Sequence, residues 1–150
     1  MFFCYLATTG GKDMSRIFIF DKNYSTIKAL QHVLECQGRG HEVFANVVLP
    51  KNSGTPKVIT NPIDMLGLLA GLKPFPDVII VETEEVDGGW LCGLVYDMEM
   101  SNKCSVILTG HQRSDKVRRL EQLYQVQFWP KPFNLGRFVE YIETFFAVSC

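Results

Sequence analysis

From Arg16 onward, short unbroken apolar runs alternate with longer stretches in which apolar residues return every three or four positions. The runs are Ile17–Phe20 (IFIF), Val78–Val81 (VIIV), Val106–Leu108 (VIL) and Val126–Trp129 (VQFW). Val43–Leu49 (VFANVVL) is a fifth, β-rich but less uniform. An uninterrupted apolar run leaves no face for water, so each predicts a strand covered on both sides, as in a parallel sheet between helical layers. The stretches between them predict helices. Ile27, Leu30, Val33 and Leu34 share one face, ended by Gly38. Ile63, Leu66, Leu69 and Ala70 share a second, with Asn61 as N-cap and Pro62 as first helical residue. Trp90, Leu91, Leu94, Val95 and Met98 form a third, and Val117, Leu120, Leu123 and Tyr124 a fourth capped by Ser114. Leu135, Phe138, Val139, Ile142, Phe145 and Phe146 form the last and most regular, capped by Asn134.

Five alternations of strand and helix predict a doubly wound α/β fold, since right-handed crossovers place helices on both faces of the sheet. The connection Pro50–Lys57 (PKNSGTPK) is long, and Lys57–Thr60 (KVIT) extends the sheet or adds an edge strand. Met1–Leu6 is apolar but lacks a basic flank, and Ala7–Asp13 (ATTGGKD) reads as linker, so residues 1–14 are expected to be a flexible leader before one domain, 15–150. The GGK in that leader lacks the first glycine and the final hydroxyl of a phosphate loop.

Composition narrows the function. At 150 residues, 47% apolar and 21% charged, the chain can bury a core unaided, and its net charge of -1 gives no overall attraction to nucleic acid or anionic lipid. No stretch approaches the roughly 20 apolar residues that cross a bilayer. Five cysteines (Cys4, Cys36, Cys92, Cys104, Cys150) without a C-x-x-C pair, and three scattered histidines, argue against a disulfide framework or zinc site. A reducing cytoplasm fits this usage.

In an open α/β sheet, ligands bind beyond the carboxyl ends of the strands. There stand Asp21 and Lys22 after the first strand, Glu82 after VIIV, Thr109 after VIL, and Lys131 after VQFWP. Four strands deliver polar residues to one rim. With RIFIFDKN, PDVIIVE, VILTG and the WPKPF turn Trp129–Phe133, the chain from Ser15 to Ala147 resembles the receiver domains of bacterial two-component response regulators. The resemblance implies a flavodoxin-like three-layer sandwich with strands ordered 2-1-3-4-5. It places Glu82 where the family's phosphoacceptor aspartate stands, Asp21 and Lys22 on the acidic pair that holds Mg²⁺, and Thr109 and Lys131 at the positions that contact the phosphoryl group. Phe128 falls on the aromatic switch position, and Glu84 where a backbone carbonyl completes the metal shell.

Two departures stand against phosphoryl transfer. Glu82 carries its carboxylate about 1 Å beyond an aspartate's, when in-line transfer needs atoms held about 3–3.5 Å apart. Lys22 puts a cation where the family has a metal ligand. Asp21 and Glu82 against Lys22 and Lys131 sum to zero, so the pocket is expected to bind Mg²⁺ weakly or not at all and to need no other cofactor. Lys22 or Lys131 is expected to contact Glu82 or Asp21 directly, although Glu84 or Glu85 can restore negative charge by swinging in. A longer carboxylate at position 82 also raises the idea that it imitates the phosphorylated state toward Thr109 and Lys131.

The function implied is a stand-alone signalling module that binds a protein partner and is not an enzyme. The alternative is a phosphorylatable receiver using Mg²⁺ and a rearranged acidic pocket. A flavin-binding protein on the same sheet is disfavoured, because Asp21–Tyr24 (DKNY) lacks a glycine- and hydroxyl-rich phosphate loop. By the resemblance, the partner face is the fourth helix, fifth strand and fifth helix, where His111, Arg113, Lys116, Arg118 and Arg119 can steer an acidic partner and a homodimer can pair. No recognition helix follows Cys150, so DNA binding in cis is not expected, and the charge balance and absence of a long apolar run leave neither nucleic acid nor membrane as an expected partner.

Overall fold

The computed structural model describes residues 15–36, 40–51, 54–84, 88–97 and 104–146. The expected leader, Gly38, Glu85 and Met98 lie outside them. The elements run β1 (Arg16–Phe20), α1 (Tyr24–Cys36), β2 (Glu42–Ala45), β3 (Val47–Val48), β4 (Lys57–Val58), α2 (Pro62–Ala70), β5 (Val78–Glu82), α3 (Gly88–Asp97), β6 (Ser105–Gly110), α4 (Asp115–Tyr124), β7 (Gln127–Pro130) and α5 (Leu135–Thr144). Five strands form one parallel sheet in the order β2-β1-β5-β6-β7, which is the 2-1-3-4-5 order counted over the main sheet.

Alternation along each strand assigns side chains to the two faces. Ile17, Ile19, Val78, Ile80 and Ile107 pack with Ile27, Leu30 and Leu34 of α1 and with Phe138 and Ile142 of α5. Phe18, Phe20, Ile79, Val81, Val106 and Leu108 pack on the other face with Met65 and Leu69 of α2, Leu91 and Val95 of α3, and Val117 and Leu120 of α4. Both faces are therefore dry, which is why the strands carry no polar alternation. The caps form as the sequence predicts. Asn61 Oδ1 accepts from the Ile63 N–H at 2.8 Å, Ser114 Oγ from the Val117 N–H at 3.2 Å, and Asn134 Oδ1 from the Arg137 N–H at 3.0 Å.

The expected strand Val43–Leu49 is split at Asn46. This residue is fully buried, and its polar atoms cannot stay unpaired there. Its N–H donates to the Ile19 carbonyl at 3.2 Å, its carbonyl accepts from Ile59 at 2.9 Å, and its side chain accepts from the Asp21 N–H at 3.3 Å and donates to the Ile59 carbonyl. Past this knot the chain leaves the main sheet. Val47–Val48 pairs antiparallel with Lys57–Val58 as a separate ribbon, so KVIT does not extend the main sheet.

Candidate functional site

Register fixes which residues meet at the carboxyl rim. Phe20 is opposite Val81, Glu82 opposite Thr109, and Thr109 opposite Trp129, so Asp21, Glu82, Thr109 and Lys131 all arrive within one or two residues of the same level. Asp21, Glu82 and Lys131 line a cleft of about 250 Å³ together with Asn23, Thr26, Glu84 and His111.

Asp21 is almost fully enclosed. Its Oδ2 accepts from Lys131 Nζ at 2.6 Å, with the two side chains 4% and 12% exposed. Its Oδ1 accepts from the Asn23 N–H at 2.8 Å, while Asn23 Oδ1 accepts from Thr26 N–H at 3.2 Å and starts α1. The Lys131 backbone is tied to the neighbouring strand, its N–H donating to the Gly110 carbonyl at 2.6 Å. Of the two lysines weighed from sequence, Lys131 makes the contact with Asp21. Lys22 is exposed and does not line the cleft.

Glu82 is buried, and its Oε1 accepts from the Glu84 N–H at 2.6 Å. Glu84 turns its carboxylate the other way. Its Oε1 accepts from the N–H groups of His111 at 2.6 Å and Gln112 at 3.2 Å, and its Oε2 lies 3.0 Å from His111 Nδ1. These bonds, that with the His111 side chain foremost, hold the Glu84 carboxyl below the usual carboxylate range. A Cβ at Gly110 would stand 3.0 Å from Thr83 Oγ1, so that hydroxyl would have to give way, whereas its 3.5 Å to Glu84 Oε1 is an ordinary contact. Thr109 is buried and its hydroxyl donates to the Val81 carbonyl at a long 3.5 Å. Phe128 is buried too, with the Arg113 guanidinium 5.5 Å from its ring centroid.

The residues lining the cleft include the carboxylates of Asp21, Glu82 and Glu84 and the ammonium of Lys131. Both Asp21 oxygens are engaged, the next residue in the acidic turn is a lysine, and among the described residues no group of three or more His, Cys, Asp and Glu side chains can hold a metal. The basic stretch after β6 is also largely matched. Arg113 pairs with Glu121 at 3.0 Å and Arg118 with Asp115 at 3.6 Å, both exposed contacts worth at most about 1 kcal/mol.

No protein-family model matches the sequence, and no curated protein does. Solved structures do match. The DNA-binding response regulator of the LuxR family from Staphylococcus aureus is 15% identical with a TM-score of 0.68, over 88% of this chain and 98% of that one. The chemotaxis protein CheY4 of Vibrio cholerae is 13% identical with a TM-score of 0.64, over 87% and 98%. The fold is that of a receiver domain. The response regulator DrrB of Thermotoga maritima, 16% identical with a TM-score of 0.64, is matched over 89% of this chain and only 52% of its own length. This chain therefore spans about half of that receiver-containing protein. Among the described residues no helix is long and apolar enough to cross a membrane.

Sequence reasoning missed two residues of the receiver-fold rim. Asn46 carries the backbone of Asp21, and His111 holds Glu84. His111 was readable in principle, since Glu84 and His111 each stand two places beyond a paired rim position, Glu82 and Thr109.

Proposed function

We propose that this protein is a receiver-like module of two-component signalling that acts by binding a protein partner, without an aspartyl-phosphate cycle. The observation that carries the proposal is the buried Asp21–Lys131 ion pair at 2.6 Å, formed beside a glutamate at the acceptor position. In a phosphorylating receiver the aspartate would hold a metal and the lysine would meet the phosphoryl group, and here each satisfies the other. Glu82 gives no substitute, because its longer side chain is turned onto the Glu84 N–H. The partner face is α4, β7 and α5, where Leu123 is 68% exposed and Arg119 faces solvent. A second copy of the chain can use the same face. The free thiols Cys36, Cys92 and Cys104 suit a reducing cytoplasm.

One observation favours the second reading, a phosphorylatable receiver: three cleft carboxylates against one ammonium still attract a divalent cation. Incubation with a small acyl phosphate and Mg²⁺, followed by intact mass measurement, separates the two. The proposal expects no change in mass. A gain of one phosphoryl group, lost in Glu82→Gln or Asp21→Asn, establishes the second reading in its place.

A further inference from the structure

Glu84 is the cleft carboxylate that was expected only as a mobile negative charge. Its side chain is 39% exposed, yet three hydrogen-bonding groups of the segment after β6 converge on it: two successive backbone N–H groups and the His111 ring. Its own N–H is fixed on Glu82, so the turn after β5 is tied at one end to the acceptor position and at the other to residues 111–112. The next residue, Arg113, lies over buried Phe128 and pairs with Glu121 of α4. A continuous set of contacts therefore runs from the turn after β5 to α4. Thr109, the group through which a carboxylate at position 82 was expected to act, gives its hydroxyl to Val81.

We propose that Glu84 is a positioning residue: an internal carboxylate clamp that holds the segment 110–113 against the rim and so sets the conformation of the α4 face without any covalent input. The clamp itself stands on these contacts alone. Its consequence for a partner rests on reading α4, β7 and α5 as the docking face. The proposal also reassigns the imitation of a phosphoryl group to Glu84, whose carboxylate bonds the loop at His111 and Gln112.

The test compares Glu84→Ala, Glu84→Gln and Glu82→Gln in the full chain by amide hydrogen exchange read residue by residue in NMR. Charge-assisted hydrogen bonds are worth enough that the His111 and Gln112 amides should exchange about tenfold faster in Glu84→Ala. The His111 amide proton, short-bonded to a carboxylate, should also move upfield. Glu84→Gln, which keeps an oxygen acceptor without the charge, should fall between. Glu82→Gln should leave both amides within about twofold of the parent, whereas an imitation seated on Glu82 requires them to loosen. Unchanged protection across β5 and β6 shows that each variant is folded. Unaltered His111 and Gln112 exchange in Glu84→Ala, or equal loosening in Glu82→Gln, overturns the clamp. Neither result depends on whether the protein takes up a phosphoryl group.

Discussion

Replacing Lys131 with methionine removes the ammonium and keeps most of the side chain's volume. In the parent, Asp21 Oδ2 lies 2.6 Å from that ammonium and the aspartate side chain is 4% exposed. The variant leaves a buried carboxylate with the Asn23 N–H as its remaining strong donor, beside the second buried carboxylate of Glu82. Stranding one member of a buried pair costs about 3–5 kcal/mol, and the 12% exposure of Lys131 places this case near the lower end, about 3 kcal/mol. Asp21→Asn keeps an acceptor for Lys131 and for Asn23, so its cost is smaller, about 1–2 kcal/mol. In the double variant neither charge is stranded, and its loss should fall short of the summed single losses by at least about 1 kcal/mol. Urea unfolding reads this directly. With a slope of about 2 kcal/mol per molar, Lys131→Met should lower the midpoint by about 1.5 M with the slope unchanged. Strict additivity of the two substitutions would refute the reasoning, since it would mean that the two side chains do not satisfy one another.

Other consequences follow from neighbouring contacts. Asn46→Ala strands the Asp21 N–H and the Ile59 carbonyl in a fully buried site, so it should cost about 2–4 kcal/mol in the same unfolding assay, although a single polar residue is lost. Burial pushes the Cys104 thiol up to about 12 from an ordinary value of 9.0, with the nearby Asp77 charge adding to it. Native protein should therefore be alkylated quickly at exposed Cys36 and slowly at Cys104, as peptide mapping after brief iodoacetamide treatment would show. The same shift has a sign in stability. The buried neutral thiol favours the folded state fully below pH 9, and that contribution drains away as pH rises toward about 12, where unfolding frees the thiol to ionise. Cys104→Ser should flatten that alkaline decline.

The sheet was legible because a strand buried on both faces has to be apolar throughout, and IFIF, VIIV and VIL admit no other placement in a chain this short. Helix starts were legible for a local reason: Asn61, Ser114 and Asn134 bond N–H groups two or three residues on. What escaped depended on distant partners. Asn46 looks like an interruption in a valine-rich strand, and its demand for four partners appears only when Ile19, Asp21 and Ile59 are brought around it. Lys22 follows Asp21 directly, yet it is exposed and absent from the cleft lining, which position in the sequence alone does not tell. Glu84 was considered only as a backbone carbonyl or a mobile charge. Its actual bonds go to a loop 27 and 28 residues away, a distance that only the pairing of β5 with β6 closes.

Magnesium titration by isothermal calorimetry, with no phosphoryl donor present, goes to the heart of the matter. An aspartate already held by Lys131 and Asn23 predicts no saturable heat on addition of millimolar Mg²⁺, and no change in Trp129 fluorescence. A single saturable site of sub-millimolar affinity in the parent protein, abolished by Asp21→Asn, would contradict the account.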